Sequence, residues 1–282
     1  MARRRERELR VFVLGAGKLG TGLARSLRAA GGTATLRGAR RELPTTIDAD
    51  VVVLAVRDRD LRPLAVRLVG VVSKSSVVVH VAGALGAAPL DPLRGTCAGV
   101  GQMHPMISFA STRYCPGLAR GNVQIQGDPA AVGRARRLAH LLGMTPRTFV
   151  GLDAVAYHAS AGLVANGAAA LAGVGAELLA RAGVPVSVAP KMLGPLLRSV
   201  ADNVEKLGLP DALTGPVRRG DASGIDRHLA VLRAKLPEAV ALYVATAYAQ
   251  LPLARAIGEA SPERLDAVRE VLDAATAAMT RA

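Results

Sequence analysis

Tryptophan is absent from this chain, and only three Phe and four Tyr occur among its 282 residues. Core volume must therefore come from Leu, Val and Ala, which suits closely packed helices. A surface that stacks nucleic-acid bases has almost nothing to be built from. Cysteine is nearly missing: Cys97 and Cys115 form no CxxC pair and no metal-ligand spacing, which fits a reduced compartment. The five histidines, at 80, 104, 140, 158 and 228, show no paired spacing either, so no metal site is expected. Neither a GxSxG elbow nor a Walker loop occurs. No apolar run approaches the ~18 residues of a membrane span, and no apolar stretch precedes Val11. The expectation is a soluble, cytoplasmic protein without membrane association.

Charge of one sign is also scarce. Asp and Glu total 22 against 36 Lys and Arg, a formal net charge of +14, and only Lys18, Lys74, Lys191, Lys206 and Lys235 are lysines. The basic residues are spread along the chain. The one dense cluster, Arg3, Arg4, Arg5, Arg7 and Arg10, is interrupted by Glu6 and Glu8 and reads as a solvated tail. Nucleic-acid binding is therefore disfavoured, and a surface for anionic small molecules is the better use of the charge.

Half of the composition is hydrophobic, so two folded domains are expected, 1–150 and 151–282. In the first, Arg10–Gly15 reads as a buried parallel strand stopped by glycine. Gly15-Ala16-Gly17-Lys18-Leu19-Gly20 follows, then a helix with Leu19, Leu23 and Leu27 one turn apart, Gly31-Gly32, and a second strand from Thr33. Strand, GxGxxG, helix and strand within about 30 residues is the dinucleotide-binding context. Gly15 serves the tight turn, Gly17 close approach of the pyrophosphate, and Gly20 helix–strand contact. Ala16, Lys18 and Leu19 complete the cradle, and the helix N-terminus supplies amide donors.

The end of the second strand selects the nucleotide. An NAD site places a carboxylate there, whereas this chain has Leu36-Arg37-Gly38-Ala39-Arg40-Arg41. Arg37, assisted by Arg40 or Arg41, suits a 2′-phosphate, so NADP(H) is expected in preference to NAD(H). Further strands are read at Val51–Val56, Val77–Val81, Val100–Met106 and Asn122–Gln126, with a helix over Arg134–Leu142. Asp58 or Asp60 would cap the helix after Arg57. Loops after these strands should lie at the carboxyl edge, where open α/β sheets bind ligands, which brings Val56, Arg57 and His80 to the cofactor.

From Asp153 onward the pattern is all helical: 154–182, 187–207, 223–235, 237–258 and 262–280, with Ser261 and Pro262 opening the last. Leu213–Asp221 is a polar loop among them, and its Thr214, Arg218 and Arg219 are candidate substrate ligands. An α/β Rossmann domain with a mostly parallel sheet, followed by an all-α domain, is the expected architecture.

The glycine turn, Val56-Arg57-Asp58, His80 with Ala82-Gly83, His104-Pro105-Met106, Tyr157-His158, Asn166, Asn203 and Leu213–Asp221 occur here in one order. In this the chain resembles the predicted oxidoreductases that join a Rossmann-like domain to a helical C-terminal domain of unknown function. That family is similar in plan to the 6-phosphogluconate dehydrogenase-like superfamily, with its ketopantoate, prephenate and pyrroline-carboxylate enzymes. The resemblance implies NAD(P)-linked hydride transfer and a homodimer formed through the helical domain. It does not imply a substrate. His104-Pro105-Met106 looks like the histidine segment of prephenate dehydrogenases, but Ile107-Ser108-Phe109 replaces the glycine expected next. Where hydroxyacid dehydrogenases carry Lys and Asn on the first long helix, this chain offers His158 and Asn166. Lys191 and Lys206 lie on the following helix.

Reduction of a carbonyl or imine needs a proton donor and groups that orient the substrate. His104, at a strand end, titrates in the useful range, and His158 is the other candidate proton donor. Asn166 lies eight residues past His158, about 80 degrees round the helix, so both can border one groove. Asn203 sits at the margin of its helix's apolar face, and Asp221 is suited to orienting a histidine or arginine. The expected activity is hydride transfer from NADPH to a small acidic oxo compound, such as a 2-oxo acid resembling ketopantoate. Prephenate-type oxidation, imine reduction and a non-catalytic NADP(H) sensor are the alternatives.

Overall fold

The computed structural model describes residues 9–281 and contains a seven-stranded sheet followed by long helices. Arg3, Arg4, Arg5 and Arg7 of the basic cluster lie outside the described residues. The chain forms two compact units, the first reaching Ala165 and the second beginning at Asn166.

In the first unit the strands are β1 (Arg10–Leu14), β2 (Thr33–Arg37), β3 (Val51–Leu54), β4 (Val77–His80), β5 (Gly99–Pro105), β6 (Asn122–Gly127) and β7 (Thr145–Arg147). Their order is β2-β1-β3-β4-β5-β6-β7, and every pairing is parallel except β5 with β6. Three helices pack on the sheet: α1 (Lys18–Ala29), α2 (Asp58–Leu68) and α3 (Pro129–Leu141). The central strands β3 and β4 are buried at every residue, as the unbroken Val51-Val52-Val53-Leu54 and Val77-Val78-Val79 runs require.

Alternation along the strands sends residues to opposite faces. Val51, Val53, Val77 and Val79 join Leu23 and Leu27 of α1 and Ala135 and Leu138 of α3. Leu14, Val52, Leu54, Val78 and Val100 join Leu61, Leu64 and Leu68 of α2. Asp58 and Asp60 fall inside the first turn of α2, with Arg57 at the cap position, so neither aspartate caps it. They favour the helix dipole instead. The short edge strand β7, which carries Pro146, was not expected; a proline is tolerated at such an edge.

Beyond the sheet run α4 (Ala154–Arg181), α5 (Ala189–Leu207), α6 (Ala222–Lys235), α7 (Val240–Ile257) and α8 (Pro262–Thr280). The second unit's core joins Ile225, Leu229 and Leu232 of α6, Val244 and Leu251 of α7, and Leu265, Val268 and Leu272 of α8. By length and composition α4 is apolar enough to cross a membrane, as is the stretch Pro237–Ile257. This corrects the expectation from uninterrupted runs: Tyr157, His158, Ser160 and Asn166 break the runs of α4 without making it polar.

Candidate active site

The glycine turn opens α1 as the spacing predicts. Gly15 has φ of 119°, and a Cβ there would stand 2.1 Å from the carbonyl oxygen of Ala55. A Cβ on Gly20 would stand 1.9 Å from the carbonyl oxygen of Gly15. Gly17 differs, because a Cβ on it would meet nothing within 4 Å. It caps α1 without any side-chain hydrogen bond, so the first N–H groups of the helix keep their donors for an anion. Ala16, Gly17 and Lys18 are exposed, while Leu19 is half-buried against the core.

The end of β2 lies beside this turn. Arg37 pairs with Leu14 in the β1–β2 ladder, and its carbonyl accepts the Gly15 N–H at 2.8 Å. Its Nε is buried with no partner among the described residues. Arg40 is exposed in the following turn, where the Arg41 N–H donates to the Gly38 carbonyl at 3.1 Å. These residues fit a dinucleotide: an open backbone at a helix N-terminus for the phosphates, and a guanidinium Nε with no partner among the described residues near a ribose phosphate's expected place. Val56 is half-buried and Arg57 exposed, just past the carboxyl end of β3.

The second cluster forms at the carboxyl ends of β4 and β5. His104 and His158 have ring centroids 5.6 Å apart and meet edge to face, and Tyr157 stands 5.8 Å from His104 in the same manner. Gly83 lies between the two histidines. A Cβ on it would fall 2.2 Å from His158 Nδ1 and 2.9 Å from His104 Nε2. His104 Nδ1 lies 2.9 Å from the Val81 carbonyl, which only accepts, so Nδ1 carries hydrogen and Nε2 holds the lone pair of the neutral ring. Burial lowers the His104 pKa below the ordinary 6.5, and His158 adds to that, against the opposing pull of the Val81 bond and Asp58. Burial also raises the Tyr157 hydroxyl above 10.0.

Three expectations are corrected by this arrangement. His80 is fully buried and both its ring nitrogens are engaged: Nε2 donates to the Gly86 carbonyl at 2.7 Å, and Nδ1 accepts the Ala82 N–H at 3.2 Å. It anchors a loop and has no nitrogen left for a cofactor. Arg218 binds Glu259 at 2.5 Å and the carbonyls of Asp211 and Leu213, so it ties its own loop together instead of awaiting a substrate. Asp221 caps α6, accepting the Gly224 N–H at 2.9 Å, so one of its oxygens is engaged with its own helix.

In the second unit, Asn166 and Thr214 are exposed, Asn203 is half-buried on α5, and Arg219 is exposed in the polar loop. Sequence reasoning missed two participants, Tyr157 and Gly83. Both stood in the motifs that carried the resemblance, yet neither spacing nor polarity assigned them to the histidine pair.

Residues 122–250 match the family described as Domain of unknown function (DUF2520). No curated protein matches the chain by sequence. Among solved structures, a Bacteroides fragilis protein assigned as an NADP oxidoreductase superposes with a TM-score of 0.65 at 21% identity, covering 86% of this chain and 98% of that one. Protein TM1727 of Thermotoga maritima gives 0.63 at 20% identity, covering 87% and 98%. Pyrroline carboxylate reductase of Plasmodium falciparum, solved with NADP bound, gives 0.58 at 13% identity, covering 95% and 97%. The chain thus has a Rossmann-like fold with a helical C-terminal portion.

Proposed function

We propose that this protein is an NADP(H)-dependent reductase that transfers hydride to a small oxo compound or the corresponding imine. The observation that carries the reading is the Gly83 contact. A backbone without a side chain lets two imidazoles meet at the carboxyl edge of a sheet whose first turn is shaped for a dinucleotide. The structural likeness to the Plasmodium reductase, which binds NADP, supports the nucleotide.

Gly15–Gly20 would hold the pyrophosphate, and Arg37 with Arg40 the 2′-phosphate. Bound nicotinamide supplies the hydride. The protein's own contribution is the proton that the substrate oxygen or nitrogen takes up. At neutral pH His104 rests uncharged, with its lone pair on Nε2. The rings of exposed His158 and of Tyr157 stand beside it, and His104 is assigned as the group that delivers the proton. Asn166, Asn203, Thr214 and Arg219 of the second unit remain proposed substrate ligands by their chemistry, whereas Arg218 is engaged within its own unit.

The working form is proposed to be a homodimer built on α4 and α5. Leu163, Val164 and Leu171 of α4 and Met192, Leu196, Val200, Val204 and Leu207 of α5 are all exposed. Apolar side chains exposed along each of these helices are what a partner copy would cover.

The deciding experiment is titration of the protein with NADPH and NADH by nicotinamide fluorescence, followed by a screen of oxo acids and imines for turnover. Tight NADPH binding with turnover that His104→Ala abolishes is the expected result. Binding without any turnover would favour a nucleotide sensor, and binding of neither nucleotide would overturn both readings.

A further inference from the structure

Strand alternation places an unusual set of side chains on one face of β4, β5 and β6. His80 pairs with Gln102, Gln102 with Gln126, and His104 with Gln124, and paired residues share a face. The opposite face at the same positions is apolar, with Met103, Val123 and Ile125 in the core. A buried polar row of this kind is costly unless its groups find partners.

For His80, Gln102 and His104 the partners are backbone atoms of the loop that leaves β4, and Gln126 bonds Gln102; Gln124 alone of the row is buried with neither amide atom partnered among the described residues. The Val81 carbonyl accepts from His104. The Ala82 and Gly83 carbonyls both accept from Gln102 Nε2, at 2.5 and 3.3 Å. Gln102 Oε1 in turn accepts from Gln126 Nε2 at 2.6 Å. His80 bonds the Ala82 N–H and the Gly86 carbonyl. Three consecutive carbonyls, 81 to 83, are thus each held by a side chain from the next strand. Gln102 is 1% exposed and its polar atoms are all used, and the carbonyls fix which way its amide faces.

This is the loop on which the two imidazoles rest, since Gly83 has no space for even a methyl group between them. We propose that Gln102, oriented by Gln126, is a positioning residue for the imidazole pair. It sets the Val81–Gly83 backbone, and through it the tautomer of His104 and its approach to His158. The proposal rests on reading His104 and His158 as the proton-transfer pair, but the placement can be tested without turnover.

The test is nitrogen-15 NMR of the histidine side chains in the full-length protein at alkaline pH, where neutral imidazole tautomers are distinguishable. In the wild type, His104 is expected as the single Nδ1–H tautomer. Gln102→Leu is expected to give a mixture of tautomers. Gln102→Glu supplies the conservative rescue. Its carboxyl, while protonated, can still donate to the Ala82 carbonyl, so the wild-type pattern should return at the acid end of the range over which His104 is neutral and vanish as the carboxylate forms. Gln124→Met, directly opposite His104 but holding no loop carbonyl, should leave the pattern alone.

An unchanged tautomer in folded Gln102→Leu would overturn the proposal, as would an equal disturbance by Gln124→Met. If Gln102→Leu does not fold, Gln126→Met replaces it. That variant removes only the donor to Gln102 Oε1 and should give a partial mixture, and an unaltered pattern there overturns the proposal too. Loss of the tautomer with no effect on turnover would instead sink the proton-transfer reading and leave the placement standing.

Discussion

The amide of Gly15 donates to the carbonyl of Arg37 at 2.8 Å, so the first residue of the phosphate turn and the cation at the end of β2 are fastened together. Arg37 also keeps a buried Nε with no partner among the described residues. Removing a charge-assisted bond to phosphate costs about 1.5–3 kcal/mol, or roughly ten- to a hundredfold in affinity. Arg37→Ala should weaken NADPH binding by that factor and leave NADH binding nearly unchanged, as fluorescence titration would reveal. Equal weakening of both nucleotides would remove Arg37 from the 2′-phosphate.

Gly83→Ala inserts a methyl group 2.2 Å from His158 Nδ1. The rings must separate, because the neighbouring carbonyls are held by Gln102. Turnover should fall at least tenfold, about 1.4 kcal/mol in the barrier, while NADPH affinity stays as it was. Steady-state kinetics with parallel nucleotide titration checks this, and undiminished turnover would refute it.

Burial lowers the pKa of both His80 and His104 below the ordinary 6.5. The folded state therefore prefers the neutral rings. Their contribution to stability is complete above about 6.5 and is lost as pH falls below it, since the unfolded chain takes up protons first. Melting temperature should drop on acidification through this range. His80→Gln, which can still reach the Gly86 carbonyl but does not titrate, should flatten part of that drop. An identical acid slope in the variant would mean that His80 contributes nothing to it.

Arg218 and Asp221 should matter for stability alone. Arg218→Ala breaks a half-exposed ion pair and two bonds to carbonyls, worth about 1–2 kcal/mol together after allowance for solvent screening. Asp221→Ala removes the side-chain acceptor that caps α6 and should also lower stability. Denaturant melts should show both losses with catalytic constants unchanged. A selective rise in KM for Arg218→Ala would return that residue to the substrate site.

Leu163 and Leu196 are 79% and 58% exposed, the kind of surface that a partner would cover. Sedimentation should find a dimer, and Leu163→Glu with Leu196→Glu should shift it to monomer. A wild-type monomer at every concentration would refute the proposed assembly, and partition into lipid vesicles would point to a membrane instead.

The fold was legible because its signals are local. A buried run such as Val51–Leu54, a glycine turn and leucines one turn apart each specify their element without distant help. The helices of the second half were read nearly to their ends for the same reason. The glycine turn was equally readable, since its geometry is set by backbone at fixed spacing. The histidine cluster was only half visible. His104 and His158 are 54 positions apart, and their meeting depends on Gly83, whose role is an absence of atoms. Arg218 and Asp221 misled because a polar side chain in a loop looks the same whether it faces a substrate or its own backbone. The signal that went unused was the spacing Gln102-x-His104 and Gln124-x-Gln126, polar at period two on strands whose other face is apolar.

His80 and His104 carry their protons on opposite nitrogens, His80 on Nε2 and His104 on Nδ1, and both choices are imposed by one loop. For anyone engineering this protein, that loop is a fixed point. Substrate range can be sought by varying the helices, but libraries that randomise residues 81 to 83, or the glutamines beneath them, would scramble the protonation pattern before they altered what is recognised.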